Sequence, residues 1–124
     1  MFLMKNISPH VEIYRFPITA ISSITNRGTG LYLTGIFIGS GLTGLINPDL
    51  LSNYSKIDGT SKLILDYSIL FSGSFHIFGG IRHFIWDKYP NLLINTAVTK
   101  SSFTLFGISI LSSIIVDSAI KRVK

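Results

Sequence analysis

Gly73-Ser74-Phe75-His76-Ile77-Phe78-Gly79-Gly80-Ile81-Arg82-His83-Phe84-Ile85-Trp86-Asp87 decides how this chain is read. The stretch is apolar enough to lie in a membrane, yet it carries two histidines and an arginine. On a helix, Gly73, His76, Gly80 and His83 fall at i, i+3, i+7 and i+10 and form one stripe. Small residues on that stripe leave room for something flat and wide. At the ~1.5 Å rise of a helix, His76 sits about a third of the way into the bilayer from the Trp86 end. A neutral imidazole there needs a partner: a metal, another polar group or trapped water.

Composition supports the membrane. The chain has 124 residues, enough for one domain. Mean hydropathy is +0.49 and charged residues make up 14%, against ~25% in typical soluble domains. A soluble fold of this size would leave too much apolar surface exposed, so an all-α membrane protein is expected. There is no cysteine, which excludes disulfides, thiolate catalysis and an iron–sulfur cluster held by this chain. The net charge is +5 with pI ≈ 9.7. The basic residues cluster at span ends, where they read as topology and lipid-headgroup contacts rather than nucleic-acid contacts.

Three transmembrane helices are expected, over about 18–46, 63–86 and 101–120, with residues 1–17 as an extramembrane N-terminal arm and 18–124 as the transmembrane domain. In the first span only 31–46 is cleanly apolar, 16 residues where about 20 are needed to cross. The crossing therefore uses part of 18–29, and puts Ser22, Ser23, Asn26 and Arg27 at or just below the membrane surface. Asn47-Pro48-Asp49 stops this helix, and 47–62 reads as a loop. Asp87-Lys88-Tyr89-Pro90-Asn91 closes the second span. Residues 92–100 read as a connector, and Lys121, Arg122 and Lys124 form a basic tail. Gly35/Gly39, and Ser40/Gly44 at the same spacing, allow close helix approach. Pro9 and Pro17 argue against a continuous helix through the arm. Met1–Met4 is too short for a signal peptide, and Lys5 and Arg15 do not make an Arg-rich transit peptide. Either a leader has been removed or the protein is made where it works.

Three spans put the N-terminus and the second connector on one side. Lys and Arg then number six on that side and five on the other, so the positive-inside rule does not choose an orientation. The connectivity does bring Ser23–Arg27 and Arg82–Trp86 to the same face of the membrane.

At that face, the residues suggest two sites. The first is a haem held from one side by His76. Haem needs an axial imidazole, space for the macrocycle and cations for two propionates. Arg82 and His83, one to two turns nearer the surface, suit those carboxylates. Only His76 lies deep enough to be an axial ligand, so a second ligand would come from another chain. The alternative for His76 is an interhelical hydrogen bond. The second site is Ser23 with Arg27, at i, i+4 on one helical face. A hydroxyl beside a guanidinium suits the oxygen of a quinone headgroup. The alternative is that Arg27 snorkels to lipid phosphate while Ser23 caps or packs. His10 has no assignable role, and Asp66 and Asp117 belong near the far surface.

Ser8-Pro9-His10-Val11-Glu12-Ile13-Tyr14, Pro17 and Ser23-Ile24-Thr25-Asn26-Arg27-Gly28-Thr29-Gly30 resemble the N-terminal signature of the cytochrome b large anchor subunit of succinate dehydrogenase. His76-x-x-x-Gly80-Ile81-Arg82-His83-x-x-Trp86-Asp87 resembles that family's second signature. The order and separation of the two agree with the family, as do three spans over this length. The resemblance implies part of a hetero-oligomeric helix bundle in respiratory complex II, in the mitochondrial or bacterial inner membrane. The implied partners are the flavoprotein, the iron–sulfur subunit and the small anchor subunit. It implies haem b, with His76 as iron ligand opposite a ligand from the small anchor, and Arg82, His83 and Arg27 near the propionates. It implies ubiquinone as substrate at Ser23 and Arg27. The Ser8–Arg27 side would face the matrix or cytoplasm. The family usually has His before the arginine, and here it is Asn26, which can donate a hydrogen bond but carries no charge. A haem-free structural anchor, the anchor of a fumarate-reducing complex and another small b-type cytochrome are the alternatives.

Overall fold

A computed structural model describes residues 16–54, 56–57 and 59–123, and these are helical with short connections. The Ser8–Tyr14 signature, His10, most of the expected arm and Lys124 lie outside the described residues. Three helices are long and apolar enough to cross a membrane: α1 (Ile18–Ile46), α3 (Thr60–Lys88) and α4 (Asn95–Val123). Each has 29 residues. At ~1.5 Å per residue each is longer than the ~30 Å hydrocarbon layer.

The first span begins and ends where the sequence predicts. The second extends three residues earlier and two later than 63–86, and the third begins six residues before 101. The polar start of α4 is accommodated in the helix, with hydroxyls bonded back to their own backbone; Thr99 Oγ1 donates to the Asn95 carbonyl at 2.8 Å. The expected loop 47–62 contains a short helix, α2 (Pro48–Tyr54). The triplet that stops α1 also starts α2. Asn47 donates its N–H to the Thr43 carbonyl at 2.8 Å, and its Oδ1 accepts the Asp49 N–H at 3.2 Å. Pro48 and Asp49 then occupy the first turn, where a missing N–H and a carboxylate are both favoured. Gly59, at φ +85°, precedes α3 in a conformation that side chains rarely adopt.

α3 is central and packs on both α1 and α4, which also touch each other. It runs antiparallel to each neighbour. Against α1, the level of Ser22 is that of Arg82 and the level of Tyr32 is that of Ser68, whose hydroxyls lie 2.8 Å apart. Against α4, Arg82 meets Ser102, Ser74 meets Ser112 and Tyr67 meets Asp117.

The interior is small and polar. Among the described residues the buried apolar side chains are Phe75 and Leu105, with the rings of Phe71 and Phe106 tilted against Phe75 at centroid distances of 5.5 and 4.8 Å. Ser102, Leu105, Ser109, Ser113 and Asp117 form the buried stripe of α4. Small residues there let the backbones approach. Ser109 and Ser113 bond the carbonyls four residues back at 2.7 Å, so no hydroxyl is stranded. Large side chains such as Leu31, Phe37, Phe84 and Ile115 point outward, as they should in lipid. Gly35 and Gly39 also face outward, and a Cβ on either would meet nothing within 4 Å. The close approach expected of them is therefore not to a helix among the described residues. Gly44 does receive a neighbour, since its Cβ would lie 2.9 Å from Leu51 of α2. α2 is tied to α3 by a hydrogen bond from Tyr54 to Asp66, and this carboxylate helps push the Tyr54 phenol up to about 12.

Candidate functional site

The two segments singled out in the sequence meet at one end of the bundle. Asn26 on α1 and His76 on α3 make the joint. The His76 Nδ1 lies 3.0 Å from the Asn26 backbone oxygen. A carbonyl can only accept, so Nδ1 carries the proton and donates. In a neutral ring this leaves Nε2 with a free lone pair. The interhelical hydrogen bond therefore uses one nitrogen and leaves the other available. His76 is exposed at the outer face of the bundle. Gly80 and His83, on the same stripe, are exposed too, and Gly73 is half-buried. A Cβ at Gly73 or Gly80 would meet nothing within 4 Å, so this face has the free space that a flat group needs.

Glycines also make the joint close. Gly79 is buried, and a Cβ on it would lie 2.1 Å from the Oδ1 of Asn26. The Asn26 side chain therefore lies directly on the backbone of α3. Its Oδ1 is buried with no hydrogen-bond partner. Asn26 is turned into the bundle and does not reach outward as a propionate contact would require.

Arg82 is also turned inward. It is 9% exposed. Its two terminal nitrogens donate to Ser102 Oγ at 3.1 Å and Ser22 Oγ at 3.4 Å, and those hydroxyls are 3.1 Å from each other. The guanidinium carbon sits 4.5 Å from the centre of the Trp86 ring. Its Nε has no partner. No carboxylate pairs with it among the described residues. The position was expected beside a propionate; the structure directs it to the interior, away from the His76 stripe. His83 remains on that stripe, edge-on to Trp86 at 5.4 Å.

Ser23 is half-buried and Arg27 exposed. Arg27 follows Asn26 directly, so it lies at the level of His76, and it pairs with no described residue. An unpaired guanidinium next to a half-buried hydroxyl can receive an electronegative oxygen. The sequence places Ser22 at this end without giving it a role and does not single out Ser102; both turn out to hold Arg82. The signal for Ser102 is the run Ser102, Leu105, Ser109, Ser113, whose successive steps of three and four residues keep one helical face. Gly30 ends the first of the two signatures but carries no role in the sequence: a Cβ there would lie 2.7 Å from Cε1 of His76.

The far end of the bundle carries a separate cluster. Asp117 accepts from Tyr67 at 2.9 Å and from Lys121 at 2.7 Å. Among the described residues no group of three or more His, Cys, Asp or Glu could hold a metal ion.

The family described as succinate dehydrogenase/fumarate reductase transmembrane subunit matches the chain over residues 2–116. The chain is 31% identical over 116 residues to the mitochondrial succinate dehydrogenase cytochrome b560 subunit of Sus scrofa, spanning 89% of this chain and 68% of that one. It is 30% identical over 117 residues to the mitochondrial subunit of the same name from Dictyostelium discoideum, over 86% and 58% of the two chains. A succinate dehydrogenase cytochrome b560 subunit of Porphyra purpurea is 30% identical over 111 residues, 84% of this chain and 87% of its own.

Proposed function

The chain belongs to the succinate dehydrogenase/fumarate reductase transmembrane subunit family, and from that membership we propose that it is a membrane anchor of succinate:ubiquinone oxidoreductase (complex II) that contributes to haem b ligation and to the ubiquinone site. It is a multi-pass protein, and relatives carry a mitochondrial name. Its partners in this reading are the iron–sulfur subunit, the flavoprotein and the small anchor subunit. Residues 1–17 form the extramembrane arm, on the matrix or cytoplasmic side with the Ser23–Arg27 end of the bundle. The basic tail is on the other side.

The observation that carries the reading is the His76–Asn26 bond. It commits Nδ1 to a carbonyl, leaves Nε2 for a metal, and fixes both at the level of Arg27. The open face around Gly73 and Gly80 fits a macrocycle. His76 would hold the haem iron from this chain and the small anchor would supply a further ligand, while His83, on the same stripe, would be available to a propionate. Arg27 can reach a propionate or the quinone. Arg82 contributes positive charge from inside the bundle rather than a direct contact. A haem held there supplies reversible one-electron redox capacity.

The chain's own part in quinone reduction is binding and positioning, and it has no catalytic centre of its own. Electrons arrive from the iron–sulfur subunit. As the quinone is reduced, negative charge develops on its oxygens. Ser23 donates a hydrogen bond, and the Arg27 guanidinium stabilises the charge in a partly dehydrated site. Arg27→Ala should abolish most succinate–quinone activity and leave succinate oxidation by a soluble dye intact. An equal loss of both would make Arg27 an assembly residue. His76→Ala should remove the b-type absorption or change its axial signal; an unchanged spectrum would retire the ligand assignment.

A further inference from the structure

We propose that α1 positions the His76 imidazole: the Asn26 backbone carbonyl fixes its tautomer, and Gly30 provides the gap in which the ring lies. The inference rests on the reading of His76 as a haem ligand and concerns what sets the character of that ligand.

Three observations converge on the ring. The carbonyl of Asn26 is 3.0 Å from Nδ1, so the ring donates from that nitrogen. Nε2 is then the ligating atom. A side chain at position 30 would place Cβ 2.7 Å from Cε1 and 3.2 Å from Nδ1. Those atoms are the end of a side chain that can turn about its own bonds, so the imidazole would swing away from α1 rather than α1 from the imidazole, and the hydrogen bond to Asn26 would be lost with it. The packing of Asn26 on Gly79 holds the two backbones close enough for the bond to form. A few residues away, Gly28 faces open space, so the restriction is local to Gly30.

A carbonyl accepting from Nδ1–H makes the imidazole a more electron-rich donor at Nε2 and fixes the plane of the ring. A stronger donor favours ferric over ferrous iron. The acceptor is backbone, so no side-chain substitution at 26 removes it. Gly30 is the position through which sequence controls the bond. Gly30 is therefore a positioning residue acting through His76.

The test uses the assembled complex. Gly30→Ala should raise the haem midpoint potential in a redox titration and move the low-spin electron paramagnetic resonance g-values. Gly28→Ala should change neither. A Gly30→Ala complex with the potential and g-values of the unmodified one would overturn the proposal while leaving His76 as ligand. If the Gly30→Ala chain does not assemble, the unmodified complex decides. Electron–nuclear double resonance in ordinary and deuterated water should find an exchangeable proton on the Nδ1 of His76, assigned by labelling histidine with 15N. Iron bound through Nδ1, or a ring without that proton, would overturn it. A haem that survives His76→Ala, or a purified complex with none, would overturn the ligand reading and this inference together.

Discussion

Arg82 lies over Trp86, one turn further along α3, with the guanidinium carbon 4.5 Å from the ring centre, and spends its terminal nitrogens on Ser102 and Ser22. An indole and two hydroxyls thus solvate a cation at membrane depth, and no carboxylate neutralises it among the described residues. The three helices are joined through this one side chain. Removing the charge and removing its solvation should have different effects. Arg82→Met fills similar volume and takes away the need for acceptors, so it should be close to neutral. Ser22→Ala combined with Ser102→Ala leaves the cation buried without them and should cost about 3 kcal/mol. The comparison is read from the temperature at which subunits dissociate in detergent, with the double serine variant dissociating first.

Gly79 and Gly80 are adjacent and should respond oppositely to alanine. At Gly79 a Cβ would meet the Asn26 side chain at 2.1 Å, and overpacking of this kind costs about 1–3 kcal/mol. Gly79→Ala should lower the yield of folded chain. At Gly80 there is open space, and alanine is favoured in a helix by up to about 1 kcal/mol. Gly80→Ala should leave the chain folded and reduce the ratio of haem to protein, because the new methyl stands on the face reserved for the macrocycle. The two yields and the pigment ratio are measured on the same preparations.

The sequence made the spans legible because apolar composition over helical lengths is a strong signal, and it made the His76 stripe legible because its residues share one helix. α2 was missed because Asn47-Pro48-Asp49 is a stop signal for one helix and a start signal for the next. The direction of Arg82 was missed for a different reason. Arg82 is some 120° around the helix from His76, at ~100° per residue, and which side faces inward depends on where Ser22 and Ser102 sit on two other helices. The role of Gly30 was not legible at all, because a glycine chosen for a neighbour on another helix looks like any other glycine. Ser23, Arg27, His76 and His83 stand out as candidates by type and spacing alone; where the Arg82 and Asn26 side chains lie required the packing.

At the far end, Asp117 holds Tyr67 and Lys121 together, at 2.9 and 2.7 Å. Asp117→Asn keeps an acceptor for the Tyr67 hydroxyl and loses the charge pair with an exposed lysine, which is a small change. Asp117→Leu removes the acceptor as well. Resistance to thermal inactivation should fall in the order Asp, Asn, Leu. Quinone reductase activity before heating should be unchanged in both variants, since the cluster is at the opposite end of the bundle from Arg27.

Ser22 and Ser23 are neighbours in sequence with different surroundings, and this separates structure from binding at the quinone end. Ser22 is 1% exposed and its hydroxyl meets Ser102 and Arg82. Ser23 is half-buried on the face that carries Arg27. Ser22→Ala should lower the dissociation temperature and leave the quinone KM of the surviving complex unchanged. Ser23→Ala should leave stability unchanged and raise the quinone KM about fivefold, the equivalent of one neutral hydrogen bond of about 1 kcal/mol. Adding Arg27→Ala to Ser23→Ala should then change the KM by less than the product of the two single effects, because both groups would bind the same headgroup. Independent, multiplicative effects in that double variant would mean that the hydroxyl and the guanidinium do not share a ligand.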